Sequence, residues 1–386
     1  MIGRRRALAG CALGAASLLL PGAGARAAGP VLQVGPGRAV KTLGVAAWAA
    51  TPGTRIEVDA GEYRGDVAVW SRDDVELQAV GGRVRLMADG AAMEGKGIWV
   101  VRAQRMTADG FDFEGAAVPA HNGAGIRLET GSLRVRNCTF IRNETGVLTS
   151  NRGDVELDVE DCEFSHNTQP DGQSHLLYVG AIKRLAVTGS YFHHGLVGHL
   201  LKSRAARNLI AYNRLTDEAE GSASYELEFA NGGIAHVIGN LIQQSALSQN
   251  PHLVSFGAEG YSWLANEIYL AHNTLVDDMA QGGIFLRARA GAGAVRVVNN
   301  LLAGAGQWNV GANADMNNNL TLVRSALPTS GADAYHATRD ALERLRAIDG
   351  GSARDVALTP NRQYAHPHRT LPLRTPPRWV GALQLP

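Results

Sequence analysis

The chain has 386 residues, enough for two or three average domains or for one long repeat protein. Its 37 Lys and Arg balance 36 Asp and Glu to a net charge of +1, which gives no argument for a nucleic-acid partner. With 46 Gly and 6% aromatic residues the composition suits a turn-rich all-β chain, and no stretch beyond Pro30 is apolar enough to span a bilayer.

The segment 1–27 reads as a signal peptide: Arg4-Arg5-Arg6, an apolar run through Leu20, and a small-residue site at Ala25-Arg-Ala27. The paired arginines before Ala7-Leu8 also permit the twin-arginine route. Leu8-Ala-Gly-Cys11 has the form of a lipoprotein box, but it sits before the apolar run rather than after it. The expectation is an exported protein of bacterial type, periplasmic or secreted.

The mature start runs through Val34-Gly-Pro-Gly-Arg38, Lys41-Thr-Leu43, an Ala/Val/Trp segment to Ala50, Ile56-Glu-Val58 and Gly61-Glu-Tyr63. It resembles the opening of pectate-lyase-like β-helices, which implies that 42–50 is a short amphipathic helix plugging the open end of a solenoid. Such a plug is needed because a terminal coil exposes apolar surface and free strand edges.

A signature then recurs: Val135-Arg-Asn-Cys-Thr-Phe140, Val159-Glu-Asp-Cys-Glu-Phe164, Val187-Thr-Gly-Ser-Tyr-Phe192, Ile210-Ala-Tyr-Asn-Arg-Leu215, Val237-Ile-Gly-Asn-Leu-Ile242, Leu270-Ala-His-Asn-Thr-Leu275 and Val297-Val-Asn-Asn-Leu-Leu302. The final positions of successive copies are separated by 24, 28, 23, 27, 33 and 27. Repeats of roughly 20–50 residues signal a solenoid. Short β-branched strands with turns and no helix between them predict an all-β, right-handed parallel β-helix of nine or ten coils. It would span 28–322, with a C-terminal helix and capping tail over 323–386.

One column of the signature holds Cys138, Cys162, Ser190, Asn213, Asn240, Asn273 and Asn300. Stacked asparagines can bond as a ladder and satisfy a backbone bend, so this column reads as structural. Cys138 and Cys162 lie on neighbouring strands, ~4.8 Å apart, close enough for a disulfide in an exported chain. The plainer reading is two small inward residues. His193 and His194 are expected to cap a turn. His236 and His272 are expected to be exposed, and Tyr212 and Arg214 to be surface groups on the opposite wall. Ala341, Leu342, Leu345 and Ile348 have helical spacing over 338–348, and His366-Pro-His368 reads as part of a solvated tail.

Each coil has a second strand before the signature, among them Leu176-Leu-Tyr178, Leu200-Leu-Lys-Ser-Arg204, Tyr225-Glu-Leu-Glu-Phe229, Leu253-Val-Ser-Phe256 and Ile284-Phe-Leu-Arg-Ala-Arg289. Side chains alternate along a strand, and burying an unpaired Lys is costly, so the register is set with charges outward. Lys202 and Arg204 would then lie beside Glu226 and Glu228, with Tyr178 one coil earlier and Arg287 further on. Tyr225, Leu227 and Phe229 would face in. Loops carrying Asp171, His175, His199, and the segments 243–252 and 259–266 would roof this cluster, with Tyr225, Tyr261 and Trp263 near it to stack on sugar.

Cleaving a uronic-acid polymer by β-elimination needs a cation on the carboxylate, a base for the C5 proton and an acid for the leaving oxygen. Lys202, Arg204, His199 and Tyr178 could supply these, and Glu226, Glu228, His175, Tyr225, Arg287 and Trp263 could bind sugar. Glu226 and Glu228 could also bind Ca²⁺ or serve glycoside hydrolysis, for which Asp171 is the partner across the groove. The four central charges could equally be an ion-pair ladder, roughly 0.2–1 kcal/mol per pair.

Lys202-Ser-Arg-Ala-Ala-Arg-Asn208 with Asn213-Arg-Leu215 resembles the Lys-Ser strand of the chondroitinase B and alginate lyase family, which implies Lys202 as base. Val197 and His199 stand where that family carries acidic Ca²⁺ ligands, and Glu226-Leu-Glu228 where it carries an arginine. The expected function is therefore a monomeric lyase of an acidic polysaccharide. The alternatives are a uronate C5-epimerase and a non-catalytic polysaccharide-binding protein of the cell envelope.

Overall fold

Short runs of alternating apolar residues, closed again and again by a residue in the left-handed region, wind this chain into stacked coils. The structure is a computed structural model that describes residues 29–169, 174–329 and 334–385. The expected leader, Cys11 and Asp171 lie outside the described residues.

Each coil contributes to two parallel sheets. One holds ten strands in sequence order: Ala68–Trp70, Gly97–Val101, Ala124–Leu128, Thr145–Thr149, Leu177–Val179, Leu196–Ser203, Ser222–Phe229, His252–Phe256, Ile284–Ala288 and Gln307–Asn309. The other holds 21 strands, because the signature contributes two per coil, for example Glu156–Glu160 and Glu163–Ser165. The expected right-handed parallel β-helix is the observed fold. Its centre is continuous along the axis, and Phe113, Phe140, Phe164 and Phe192 stack with ring centres 4.9, 4.6 and 4.6 Å apart.

The bend between the paired strands has a recurring cause. The residue before each ladder position is left-handed: Asn137, Asp161, Gly189, Tyr212, Gly239, His272 and Asn299 have φ between 50° and 65°. That turn takes the next backbone N–H out of the strand ladder, and the column side chain one coil on accepts it. Ser190 N–H donates to Asn213 Oδ1 at 2.9 Å, Asn213 to Asn240 at 2.9 Å, Asn240 to Asn273 at 2.9 Å and Asn273 to Asn300 at 2.8 Å. Cys138 and Cys162 are free thiols in this buried column, where Cys138 N–H points at Cys162 Sγ at 3.5 Å. Asn240→Ala strips Asn213 of an acceptor and the Ile210 carbonyl of its donor (2.8 Å) inside the core. Each orphaned buried group costs about 1–3 kcal/mol, so a lower urea midpoint with an unchanged slope is expected.

The expected plug is present as the helix Leu43–Ala49. Its N-cap Thr42 accepts from Val45 N–H, and Leu43, Ala46 and Ala47 are buried. At the other end the pattern over 338–348 gives only one helical turn, Arg339–Leu342. Beyond that turn the chain pairs with the tail instead: Ala347 N–H donates to Arg378 O at 3.1 Å, and Arg346 forms an isolated antiparallel bridge with Trp379.

The tail lies across the 21-stranded sheet and corrects three expectations. His236, expected exposed, is buried with Nε2 3.0 Å from Ala353 O. His272, also expected exposed, is fully covered and 2.9 Å from Asn299 Nδ2. Arg214, expected on the surface, is buried between the rings of Tyr191 and Tyr335, its guanidinium carbon 4.9 and 5.2 Å from their centres. The tail covers only part of that sheet: Arg105, Arg134 and Arg136, on its strands nearer the N-terminal plug, stay exposed.

Candidate functional site on the ten-stranded wall

Strand pairing places one outward column along the middle of the wall. Tyr178 pairs with Lys202, Lys202 with Glu228, Glu228 with Ser255 and Ser255 with Arg287. Inward neighbours Leu201, Ser203, Leu227 and Phe229 are fully buried, as a register with charges outward requires. Arg204 follows directly after its strand.

These groups form one connected cluster. Glu228 Oε2 lies 3.2 Å from His199 Nδ1 and 3.1 Å from Lys202 Nζ. Lys202 also donates to Glu259 Oε1 at 2.8 Å. Arg204 donates to Glu259 at 2.6 and 3.0 Å, and through Nε to the Tyr178 hydroxyl at 3.0 Å. Asn231 accepts a further Arg204 N–H. A row of rings runs beside the cluster. His175 lies 5.3 Å from Tyr178 and 4.4 Å from His199, His199 lies 4.7 Å from Tyr225, and Tyr225 lies 5.8 Å from His252.

Protonation follows from these neighbours. Burial alone would push the Lys202 ammonium down, but Glu228 and Glu259 outweigh it and hold Lys202 above its ordinary value. Arg204 is likewise held charged by Glu259 and Tyr178 against burial. Burial disfavours the Glu228 carboxylate, yet His199 and Lys202 bring it below its usual range. Arg204, then Lys202, lower Glu259 to about 2. Burial pulls His199 below its ordinary value although Glu228 opposes this, and His175 is pulled further down by burial and by the neighbouring cations. His175 Nδ1 accepts the His199 backbone N–H at 3.0 Å. At neutral pH the wall thus presents two cations, two carboxylates and two neutral imidazoles.

The sequence-predicted residues separate into three groups. Lys202, Arg204, His199, Tyr178, His175, Tyr225 and Glu228 come together. Arg287 lies two strands beyond Lys202's partner Glu228, in the same column. Trp263 is half-buried, its indole N–H donating to Arg204 O at 3.0 Å, so its polar edge serves the loop. Tyr225, expected inward, instead joins the ring row. Glu226, expected outward beside Glu228, is fully buried, and neither carboxyl oxygen has a hydrogen-bond partner. The cause is a corner in each coil at which two consecutive residues face in: Leu200 and Leu201, Glu226 and Leu227, Leu253 and Val254. Glu226 and Glu228 therefore cannot share a Ca²⁺ ion. Among the described residues no group of three or more His, Cys, Asp and Glu is placed to hold a metal.

Sequence reasoning missed Asn231, and placed Glu259 and His252 in roofing segments without giving either a role. The lengthened repeat between Ile242 and Leu275 signals the extra loop that carries Glu259, but nothing local says where that carboxylate lands.

No family model and no curated sequence matches this chain. Among solved structures it is similar to pectate lyase Pel9A at 14% identity, with a TM-score of 0.54 over 92% of this chain and 96% of that one. The fold is that of a pectate-lyase-like β-helix. A polysaccharide lyase of the PL6 family from Pseudopedobacter saltans matches this β-helix over 85% of its length and 99% of that chain, at 12% identity. Its TM-score of 0.36 is too low to carry an argument. Among the described residues of the β-helix no helix is long and apolar enough to cross a membrane.

Proposed function

We propose that this β-helix is an exported lyase that cleaves an acidic polysaccharide by β-elimination on its ten-stranded wall. One observation carries the reading: a single Glu228 oxygen joins the neutral His199 imidazole to Lys202, and Arg204 lies beside them, joined to Lys202 through Glu259. Lys202 and Arg204 would hold the uronate carboxylate, which acidifies the C5 proton. His199 would accept that proton, and Glu228 would stabilise the imidazolium formed. The C4–O bond breaks as the C4–C5 double bond forms, and the leaving oxygen takes the Tyr178 proton. That proton is free for transfer because the Tyr178 oxygen accepts from Arg204. The family resemblance puts the base on Lys202. With two carboxylates on its ammonium, Lys202 favours its charged form, so at neutral pH the base role falls to His199.

A binding-only wall is the second reading. Lys202, Arg204, Glu228 and Glu259 sum to zero charge, as an ion-pair ladder would. Ultraviolet absorbance of unsaturated uronide separates the two on alginate, pectate, glycosaminoglycans and bacterial exopolysaccharides. A lyase gives a rising signal that drops by about a hundredfold or more in Lys202→Ala. A flat wild-type trace on every polymer leaves binding, or a C5-epimerase recognised by its product.

A further inference from the structure

Glu259 reaches the wall from the loop that follows the strand His252–Phe256. Its Oε1 is 2.8 Å from Lys202 Nζ and 3.0 Å from Arg204 Nη2, and its Oε2 is 2.6 Å from Arg204 Nη1. Two parallel N–H bonds from a planar guanidinium plus an ammonium are the grip that a sugar carboxylate would receive. Arg204 does not owe its pose to Glu259 alone, because Tyr178 and Asn231 hold other edges of the guanidinium.

We propose that Lys202 and Arg204 form a subsite for one carboxylate of an acidic glycan, and that Glu259 is an internal carboxylate that fills this subsite until the glycan displaces it. The proposal rests on reading the wall as an acidic-glycan site, and adds the subsite and its competitor.

The loop backbone has no need to move. Gly257 N–H donates to Phe229 O at 2.8 Å, Glu259 N–H to Ala230 O at 2.9 Å and Ser262 N–H to Asn231 O at 3.1 Å. The Tyr261 hydroxyl donates to Arg289 O at 2.6 Å. Only the side chain of Glu259 has to rotate, and at 42% exposure it already borders water. Lys202 and Arg204 are 12% and 20% exposed. Without Glu259, Arg204 has no carboxylate and Lys202 has Glu228 alone, which is costly for groups this buried, so a carboxylate replaces Glu259 where a neutral sugar does not. The exchange conserves the charge of the subsite. Glu259 thus selects for acidic ligands by competing with everything else, which is discrimination through the cost of the wrong partner. Its own strongly lowered pKa keeps it charged at any pH where a uronate is charged.

The test is calorimetric titration of the full chain and of Glu259→Gln with oligogalacturonate, oligoalginate and chondroitin oligosaccharides, each beside its carboxyl-reduced form. Glu259→Asp, which withdraws the carboxylate by one methylene, is the second variant, and thermal unfolding confirms that both fold. About tenfold tighter binding of at least one acidic probe by Glu259→Gln, with no gain for the reduced form, is expected. Equal or weaker acidic binding across all probes, or equal gains for the reduced forms, would overturn the proposal. Tighter acidic binding with no unsaturated product keeps the subsite and removes the lyase. Product without tighter binding keeps the lyase and removes the role of Glu259.

Discussion

Glu226→Leu is expected to make this protein more stable at pH 7.5 and to flatten its stability against pH. Glu226 is fully buried with both carboxyl oxygens unpartnered, and burial, then Asp217 and Asp277, push its pKa well above the ordinary value. The folded state therefore binds this proton more tightly than the unfolded chain does. Stability is greatest below the unfolded value of about 4.3 and falls as pH rises toward the folded value. Each pH unit crossed with the proton held in the fold and lost from the unfolded chain costs about 1.4 kcal/mol. Asp217, raised to about 7 by burial although two backbone N–H groups favour its charge, adds to the same slope between about pH 4 and 7. Leucine suits the position because Leu200 and Leu253 flank it on the neighbouring coils, both fully buried. Urea unfolding from pH 5 to 8 measures this. The mutant curves should lie above the wild type at pH 7.5 and converge with it at low pH, leaving the part of the slope due to Asp217. A mutant less stable than the wild type at pH 7.5 would show that Glu226 has a stabilising partner.

His199→Ala is expected to lower kcat/KM on the cleaved polymer by roughly 10²–10⁴, the usual worth of a positioned general base. The pH profile carries more information than the loss. The pKa of His199 lies below its ordinary value, burial being the main cause and Glu228 the opposing one. Wild-type activity should thus hold at pH 6.5 and fall only as pH drops through that lowered value. Glu228→Gln removes the group that raises His199, so its acidic limb should move to lower pH. Glu228 is a positioning residue, and this displacement is something a purely structural role would not produce. If activity instead climbs through pH 10, the proton acceptor is Lys202, whose ammonium is held above its ordinary value.

The coil architecture was legible because a solenoid buries its apolar surface against nearest neighbours only, so each coil must carry the pattern in its own residues. Asn213, Asn240, Asn273 and Asn300 recur because each backbone bend needs its own acceptor. Lys202 and Glu228 could be paired on paper because neighbouring coils stack in register and a charge must face water.

The misplacements have physical reasons too. Glu226 breaks the two-residue alternation at a corner where two residues in a row turn inward, and an acidic residue gives no hint that it will be buried. His236, on the strand Ile234–Ile238, and His272, at the bend after Glu267–Ala271, look exposed until the distant C-terminal tail packs there, and Ala353 O meets His236 across 117 positions. Glu259 closes on Lys202 across 57 positions through a loop with no periodicity. Local spacing was therefore enough for the repeat, the ladder, the plug and the outward column. Which acid is buried, which histidines the tail covers and which carboxylate sits on Lys202 and Arg204 were decided only when corners, loop and tail packed, because those contacts join segments whose spacing obeys no period.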